Sequence, residues 1–156
     1  MFGLFQRKVR EVHAPVDGEV VALEEVEDEV FSQKMLGDGV AIKPIGRLFC
    51  APIDGKVTKI FPTNHAYSIQ NPKDLEVMVH IGLESVALQG EGFTRLVEEG
   101  SEVKAGTPII EVDMEVLKQC KSTITPMVLL EGSSVGSLEK KIGIVKQGDT
   151  VMKVGK

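Results

Sequence analysis

A ten-residue pattern occurs twice within the first 60 residues of the chain. It reads APVDGEVVAL at residues 14–23 and APIDGKVTKI at residues 51–60, so both copies share A-P-[VI]-D-G-x-V-x-x-[LI]. The Asp-Gly pair favours a turn, and the alternating apolar residues after it are typical of a strand with one buried face. Two copies are too few for a solenoid. The repeat therefore predicts two related β-motifs packed into one sandwich.

The composition supports this β-rich interpretation. The 156 residues include 16 Gly and 7 Pro, but one Tyr and no Trp. Together with many Val and Ile, this favours short strands joined by turns. The length suits one domain with a substantial core, so we expect a single domain over residues 1–156, with residues 1–12 as an N-terminal tail. Asp113–Cys120 is the best predicted helix, because Asp113 can cap it and apolar residues recur on one side.

Charge and hydrophobicity restrict the location and the partners. The net charge of −5 argues against nucleic acid as a partner, and no basic cluster contradicts this. No apolar run approaches the ~20 residues that span a bilayer and no secretory leader is present, so we expect a cytoplasmic protein. Residues 1–8 could touch a bilayer surface, although a frayed terminus is the interpretation we favour. Cys50 and Cys120 have no C-x-x-C spacing, which predicts packed side chains in a reducing compartment.

Two of the three histidines, His65 and His80, flank a predicted β-hairpin. Residues 65–69 and 75–81 alternate apolar and polar side chains, and Asn71-Pro72-Lys73-Asp74 between them is a turn sequence. Folding about the centre of that turn places His65 directly opposite His80, where Cβ atoms lie about 4.5–5.5 Å apart. A bulge or a slipped register would break this pairing, because a type I turn splays a two-residue hairpin.

A pair of facing histidines allows three kinds of chemistry. One ring could carry a covalent group while the other steadies it, or the two could form half of a zinc site that needs a third protein ligand. Both could also be ordinary polar residues on a wet sheet face. The Thr63 hydroxyl can reach the His65 ring or a phosphate. Glycine at position 82 lets a backbone carbonyl approach the His80 ring and fix its tautomer.

Seven short motifs follow one another in a distinctive order and spacing. They are A-P-V-D-G at 14–18, V-F-S at 30–32, G-D-G-V-A-I at 37–42, T-N-H-A-Y-S-I at 63–69, V-H-I-G-L-E-S-V at 79–86, L-Q-G-E-G-F at 88–93 and S-T-I-T-P at 122–126. In these motifs the chain closely resembles the glucose-type enzyme IIA family of the bacterial phosphoenolpyruvate-dependent sugar phosphotransferase system. The resemblance implies an all-β fold: an antiparallel β-sandwich or barrel of two related motifs (a duplicated hybrid motif), with one or two short helices.

The resemblance also implies a phosphoryl relay at the histidine pair. His80 would be phosphorylated on Nε2 while a backbone carbonyl at or near Gly82 holds its Nδ1–H, because the attacking nitrogen must be unprotonated. His65 would donate to a phosphoryl oxygen, and Thr63 would hold the His65 tautomer from the far side of the ring. Positioned donors and excluded water would do most of the catalysis, and no cofactor or metal is required.

The partners implied by the resemblance are two proteins. The small phosphocarrier protein HPr would donate the phosphoryl group, and a cysteine of an enzyme IIB domain would accept it, so that contact with the membrane is only indirect, through a sugar permease. An apolar surround with an acidic rim would dock the arginine-bearing HPr. The apolar positions are Val30, Phe31, Phe61, Met78, Leu83 and Val86, and the rim residues are Asp28 and Glu84. From the residues alone, Phe31 fits either a core position or an interface.

Two other functions stay open at this point. A zinc peptidase of similar β-architecture would need a third ligand, yet the chain has no H-x-H, and His13 matches H-x-x-x-D only with Asp17. A regulatory module that binds other proteins according to its phosphorylation state is the second alternative. It would take up a phosphoryl group on His80 without passing it to any IIB domain.

Overall fold

The computed structural model describes residues 9–72 and 74–155, which form fourteen strands and two short helices. The strands are β1 (Val9–His13), β2 (Gly18–Ala22), β3 (Gly39–Pro44), β4 (Leu48–Cys50), β5 (Gly55–Ile60), β6 (Ala66–Asn71), β7 (Leu75–His80), β8 (Phe93–Arg95), β9 (Glu102–Val103), β10 (Pro108–Val112), β11 (Thr125–Leu129), β12 (Ser137–Lys140), β13 (Gly143–Val145) and β14 (Thr150–Gly155). The helices are α1 (Glu29–Ser32) and α2 (Met114–Leu117), and single 3₁₀ turns span Leu23–Glu25 and Ser85–Leu88.

The strands form three antiparallel sheets around one main core. Eight strands make a large sheet in the order β13-β2-β3-β11-β7-β6-β5-β9, and two three-stranded sheets have the orders β1-β14-β12 and β4-β10-β8. Side chains from all three sheets meet in a single buried apolar cluster, represented by Val20, Phe49 and Val154. The predicted all-β antiparallel fold with two short helices is confirmed.

The two copies of the repeat take matching places in the large sheet. Strand β2 from the first copy lies between β3 and the edge-side strand β13, and β5 from the second copy lies between β6 and the edge-side strand β9. The halves meet where β11 pairs with β7. Both repeats are a turn that leads into a strand, as their shared pattern predicts, and the predicted duplication within one architecture is confirmed.

The predicted register of the β6–β7 hairpin is wrong by one residue. Ala66 lies opposite His80, and Asn71 lies opposite Leu75, so three positions connect the strands instead of two. A three-residue loop is the next most common way to close a hairpin, and it moves every pair by one position. His65 precedes β6 and is therefore not the direct partner of His80.

Two smaller predictions concern the helix and the N-terminal tail. The helix at residues 113–120 is present but short: its turn covers Met114–Leu117, and the Asp113 carboxylate accepts from the Glu115 N–H as its cap. Strand β1 pairs Val9 with Gly155, so residues 9–12 belong to a sheet and not to a tail. The segment considered for bilayer contact, residues 1–8, lies outside the described residues. In the part of the chain that the structure describes, no helix is long and apolar enough to cross a membrane.

A second apolar cluster lies on the other face of the large sheet. Alternation along β7 sends Val77 and Val79 to the main core, whereas Met78 belongs to this second cluster. Its further members come from β2, β3, β11 with the residue before it, and the connections after β2 and β7, and they include Leu23, Phe31 and Leu83. Because His80 follows Met78 by two positions on β7, this cluster forms the floor beside the histidine.

Candidate functional site

The two histidines contact each other at the end of β7. Their ring centroids are 5.0 Å apart and the ring planes are inclined at 78°. His80 is the last residue of β7, and the His65 carbonyl accepts a 2.7 Å hydrogen bond from the N–H of Ile81. Asn64 has a left-handed backbone (φ +61°), so the chain turns just before His65, and strand alternation does not set the direction of its ring. The rings therefore meet although the predicted register is wrong.

The tautomer of His80 is fixed by the backbone. Its Nδ1 lies 2.8 Å from the Gly82 carbonyl oxygen. Because a carbonyl can only accept, the neutral ring carries its proton on Nδ1 and presents an unprotonated Nε2. Gly82 has φ +78°, and a Cβ there would lie 3.0 Å from a Leu117 methyl and 3.1 Å from the Ser122 carbonyl. Glycine is thus required at position 82 both for its conformation and for space.

The His65 ring is held by a side chain two residues before it. The Thr63 hydroxyl forms a hydrogen bond with Nδ1 of His65, and the ring is 5% exposed. Burial, with a smaller effect of the neighbouring His80, lowers the pKa of His65 to about 4. Burial also lowers the pKa of His80, opposed by the Gly82 carbonyl and by the charge of Asp28. Both rings are therefore neutral at pH 7, which nucleophilic chemistry on a ring nitrogen requires.

Aromatic rings flank the histidine pair on both sides. The centroid of Phe31 is 5.1 Å from that of His80, and the centroid of Phe61 is 5.3 Å from that of His65. Phe31 is 4% exposed, so it is a core residue whose ring also contacts His80, and its role in an interface stays a prediction.

The other predicted apolar positions divide into a floor and a rim. Met78 and Leu83 are buried in the second cluster, whereas Val30 and Val86 are 39% and 55% exposed. The structure thus offers two exposed valines above a packed apolar floor. Large apolar side chains in such a setting are typical of a protein-docking surface.

The two predicted acidic residues lie on different elements. Asp28 caps α1 by accepting from the Val30 N–H at 2.9 Å, and its charge acts on His80. Glu84 is exposed in a left-handed conformation (φ +56°) just before the 3₁₀ turn Ser85–Leu88. Asp28 thus places a negative charge that acts on His80, whereas the Glu84 carboxylate lies 3.9 Å from the Lys121 ammonium group.

Three residues that the sequence analysis does not single out support this site. Lys121 donates to the Glu27 carbonyl at 2.7 Å and lies 3.9 Å from Glu84. The buried Ser85 hydroxyl donates to the Ile81 carbonyl, and Arg95 donates to Asn64 and to the Phe61 carbonyl. Arg95 follows the G-E-G-F motif by two residues, which is a usable signal, whereas no local pattern marks Lys121.

The remaining histidine lies on another strand, β1, whereas Cys120 lies beside the site, because its Sγ would be 3.2 Å from a Cβ at Gly82. The Nδ1 atom of His13, on β1, is 3.0 Å from the Gly148 carbonyl. Burial raises the pKa of Cys50 to about 11, and both cysteines are free. Among residues 9–72 and 74–155, no three His, Cys, Asp or Glu side chains are grouped so as to hold a metal ion.

Fold and site together define a class: a duplicated antiparallel β-protein with two neutral, contacting histidines, one of which presents a free ring nitrogen. Residues 10–135 match the family model for the phosphoenolpyruvate-dependent sugar phosphotransferase system, EIIA 1. The chain is 45% identical over 143 residues to the glucose-specific EIIA component of this system from Haemophilus influenzae, which covers 91% of this chain and 86% of that protein. The glucose permease IIA from Mycoplasma capricolum has the same fold, with a TM-score of 0.90 and 43% identity over 96% of this chain and 97% of that one.

The chain belongs to this EIIA family, as its motifs predict. EIIA components are phosphotransferases, so the chain is a phosphoryl-transfer component that works with a sugar permease. An N-acetylglucosamine-specific EIICBA component from Klebsiella pneumoniae is also 45% identical over 133 residues, which are 85% of this chain and 20% of that longer protein.

Proposed function

We propose that His80 carries the phosphoryl group on Nε2, between HPr as the donor and a cysteine of an enzyme IIB domain as the acceptor. The 2.8 Å contact between His80 Nδ1 and the Gly82 carbonyl is the observation that carries this proposal. It leaves the Nε2 lone pair free to attack phosphorus as the bond to the donor nitrogen breaks. In the second step the cysteine thiolate attacks phosphorus, and the pair of electrons returns to Nε2.

His65 would stabilise the phosphoryl group beside His80. If the Thr63 hydroxyl donates to Nδ1 of His65, the neutral His65 ring carries its proton on Nε2 and becomes a hydrogen-bond donor. The ring centroids lie 5.0 Å apart, so a phosphoryl group on Nε2 of His80 would lie near the His65 ring. Because both donor and nucleophile are held before the reaction, little reorganisation is needed.

The surround of the histidine pair would dock both protein partners. Val30 and Val86 are its exposed apolar members, above Phe31, Phe61, Met78 and Leu83, and Asp28 and Glu84 supply negative charge. This combination suits an apolar surface with arginine at its edge, as expected of HPr. The similarity to an EIICBA component supports a IIB acceptor.

The relay would work in the cytoplasm, and the core shared by all three sheets supports one EIIA domain over residues 1–156.

The test is the intact mass of the protein after incubation with phosphoenolpyruvate, enzyme I and HPr, with controls that omit each component. We expect one acid-labile phosphoryl group on the parent protein and none on His80→Ala. The matched control is His13→Ala, because His13 lies on β1 away from the pair and its variant should be labelled fully. The proposal fails if folded His80→Ala is labelled like the parent. Uptake without transfer to any IIB domain would favour the regulatory module.

A further inference from the structure

Arg95 links a distant strand to the segment that carries His65. Its Nε donates to the Asn64 side-chain oxygen at 2.9 Å, and its Nη2 lies 3.4 Å from the Phe61 carbonyl oxygen. Arg95 is the last residue of β8, where it pairs with Ile110 of the small β4-β10-β8 sheet. The contacts therefore connect that small sheet to the loop between β5 and β6.

The loop that Arg95 contacts is a single tight turn. The Phe61 carbonyl accepts from the Asn64 N–H at 2.7 Å, which closes the turn over residues 61–64. Asn64 occupies the left-handed region at φ +61°, where asparagine is better tolerated than most residues. Its side chain is thus committed to Arg95 while its backbone sets the direction in which the chain enters His65.

We propose that Arg95 is a positioning residue for phosphoryl transfer, acting through Asn64 to hold the Thr63–His65 pair against His80. This inference rests on the function proposed above. Arg95 donates two hydrogen bonds to the turn over residues 61–64. The same turn carries the Thr63 hydroxyl, which holds Nδ1 of His65. A shift of about 1 Å in a positioned group can cost up to about a hundredfold in rate, so a loosened turn has a measurable effect.

The contacts argue against a direct electrostatic role for Arg95 at the phosphoryl group. Its Nε is already used by Asn64, and its remaining described contact is to the Phe61 backbone. The neighbouring groups that act on the two rings are His80 for His65, and Gly82 and Asp28 for His80. Arg95 therefore influences the site by geometry, through the turn.

The experiment compares Arg95→Gln, Asn64→Gly and the double variant, with phospho-HPr as the donor and the purified IIB domain of a glucose permease as the acceptor. Asn64→Gly keeps the left-handed backbone but removes the acceptor. We expect near-normal uptake on His80 and about tenfold slower transfer to IIB for each single variant. The double variant should cost no more than the larger single effect, because both changes break one interaction. Asn64→Asp, which keeps the acceptor, should recover most of the rate.

A second measurement reports the His65 ring without any transfer. Nitrogen-15 NMR of the histidine side chains should show the pKa of His65 rising from about 4 towards 6.5 in Arg95→Gln, with the His80 signals unchanged. Arg47→Gln is the matched control, since Arg47 pairs with Glu111 in the same small sheet and is 69% exposed. It should change neither the rate nor the spectrum.

The outcomes separate this inference from the function on which it rests. A parent protein that takes up no phosphoryl group overturns the proposed function, while the NMR result still decides whether Arg95 holds His65. A labelled parent together with an Arg95→Gln variant that matches it in transfer rate and His65 spectrum overturns the inference alone. Disturbance of both histidines, together with a lower melting temperature, would make Arg95 a general structural residue and also overturn it.

Discussion

The two copies of the repeat form equivalent strands, but the connections that follow these strands differ. After β2, residues 23–38 form a long acidic connection with α1, whereas after β5 the short connection is residues 61–65. Both connections contact His80: the ring centroid of Phe31 from the first is 5.1 Å from that of His80, and the centroid of His65 from the second is 5.0 Å from it. Two equivalent loops of a duplicated scaffold therefore contribute to one site.

The difference between the two connections suggests a division of labour. The short connection supplies Thr63, Asn64 and His65, the polar groups that would position a phosphoryl group in the proposed function. The long connection supplies Phe31, whose buried ring packs against His80, and Asp28, whose charge acts on His80 and which would help to dock a partner in the proposed function. The two loops thus surround His80, which the end of strand β7 holds in a fixed place. The predictions below test that division.

The largest effect is expected from the short connection. His65→Ala removes the donor beside the phosphoryl group, so transfer from phosphorylated His80 to IIB should slow by about 10²–10³-fold, as when one oxyanion donor is lost. Uptake from phospho-HPr should persist, which intact mass can show. Rapid mixing with IIB measures the second step. Transfer at the parent rate would mean that the short connection does not supply the chemistry, and the division would be wrong.

The long connection should matter most for stability. Phe31 is 4% exposed and packs with Leu23 and Met78, so Phe31→Ala should lower the free energy of unfolding by about 3 kcal/mol. Val30→Ala is the matched control: its side chain is 39% exposed, and the loss should stay below about 1 kcal/mol. Urea denaturation measures both. Equal small losses for the two variants would show that Phe31 does not anchor the connection.

Much of the fold and site could be predicted from sequence because the signals are local. The repeat marks two turn-strand units, and the T-N-H and H-I-G motifs mark the histidines with the groups that hold them. The register of the hairpin could not be read reliably, because one extra loop residue moves every pair. The contact between the histidines exists for a reason that the pattern does not contain: Asn64 turns the chain before β6 begins.

The supporting side chains could not be predicted for a different reason. Arg95 and Lys121 reach residues 31 and 94 positions away in the chain, so no short window contains both partners. The place of Phe31 is ambiguous in the sequence, because a large apolar residue beside acidic ones fits either a core position or an interface. In the structure the Phe31 ring is buried in a cluster and still contacts His80.

The low pKa of His65 predicts an acid-sensitive fold. In the folded protein the pKa of His65 is about 4, whereas a histidine in the unfolded chain has a pKa near 6.5. Below pH 6.5 the unfolded state therefore binds more protons than the folded state. Stability present above pH 6.5 should fall as the pH drops towards 4. Because water near the pair screens part of the charge, we expect a loss of about 2 kcal/mol by pH 4.5. His65→Ala has no ring to protonate, and urea titrations should show a correspondingly smaller loss; an equal loss would contradict this origin.

The smallest effects should come from the acidic rim, where solvent screens the charges. Asp28→Asn and Glu84→Gln should each raise the KM for phospho-HPr about threefold at low salt, with little change in kcat. Stopped-flow uptake at several salt concentrations measures this, and the difference from the parent should shrink as ionic strength rises. Glu102→Gln, on the edge strand β9, is the control for a general loss of negative charge.

Asp28→Asn isolates the charge of the long connection better than any other change there. Asparagine caps a helix about as well as aspartate, so the bond to the Val30 N–H and the start of α1 should survive. The charge of Asp28 raises the pKa of His80, so its removal lowers that pKa further and leaves the ring neutral at pH 7. The nucleophile is then unchanged, and a higher KM reports on docking alone. If Asp28→Asn instead lowers kcat and leaves the KM at the parent value, the long connection takes part in the chemistry, and the two loops do not divide the work.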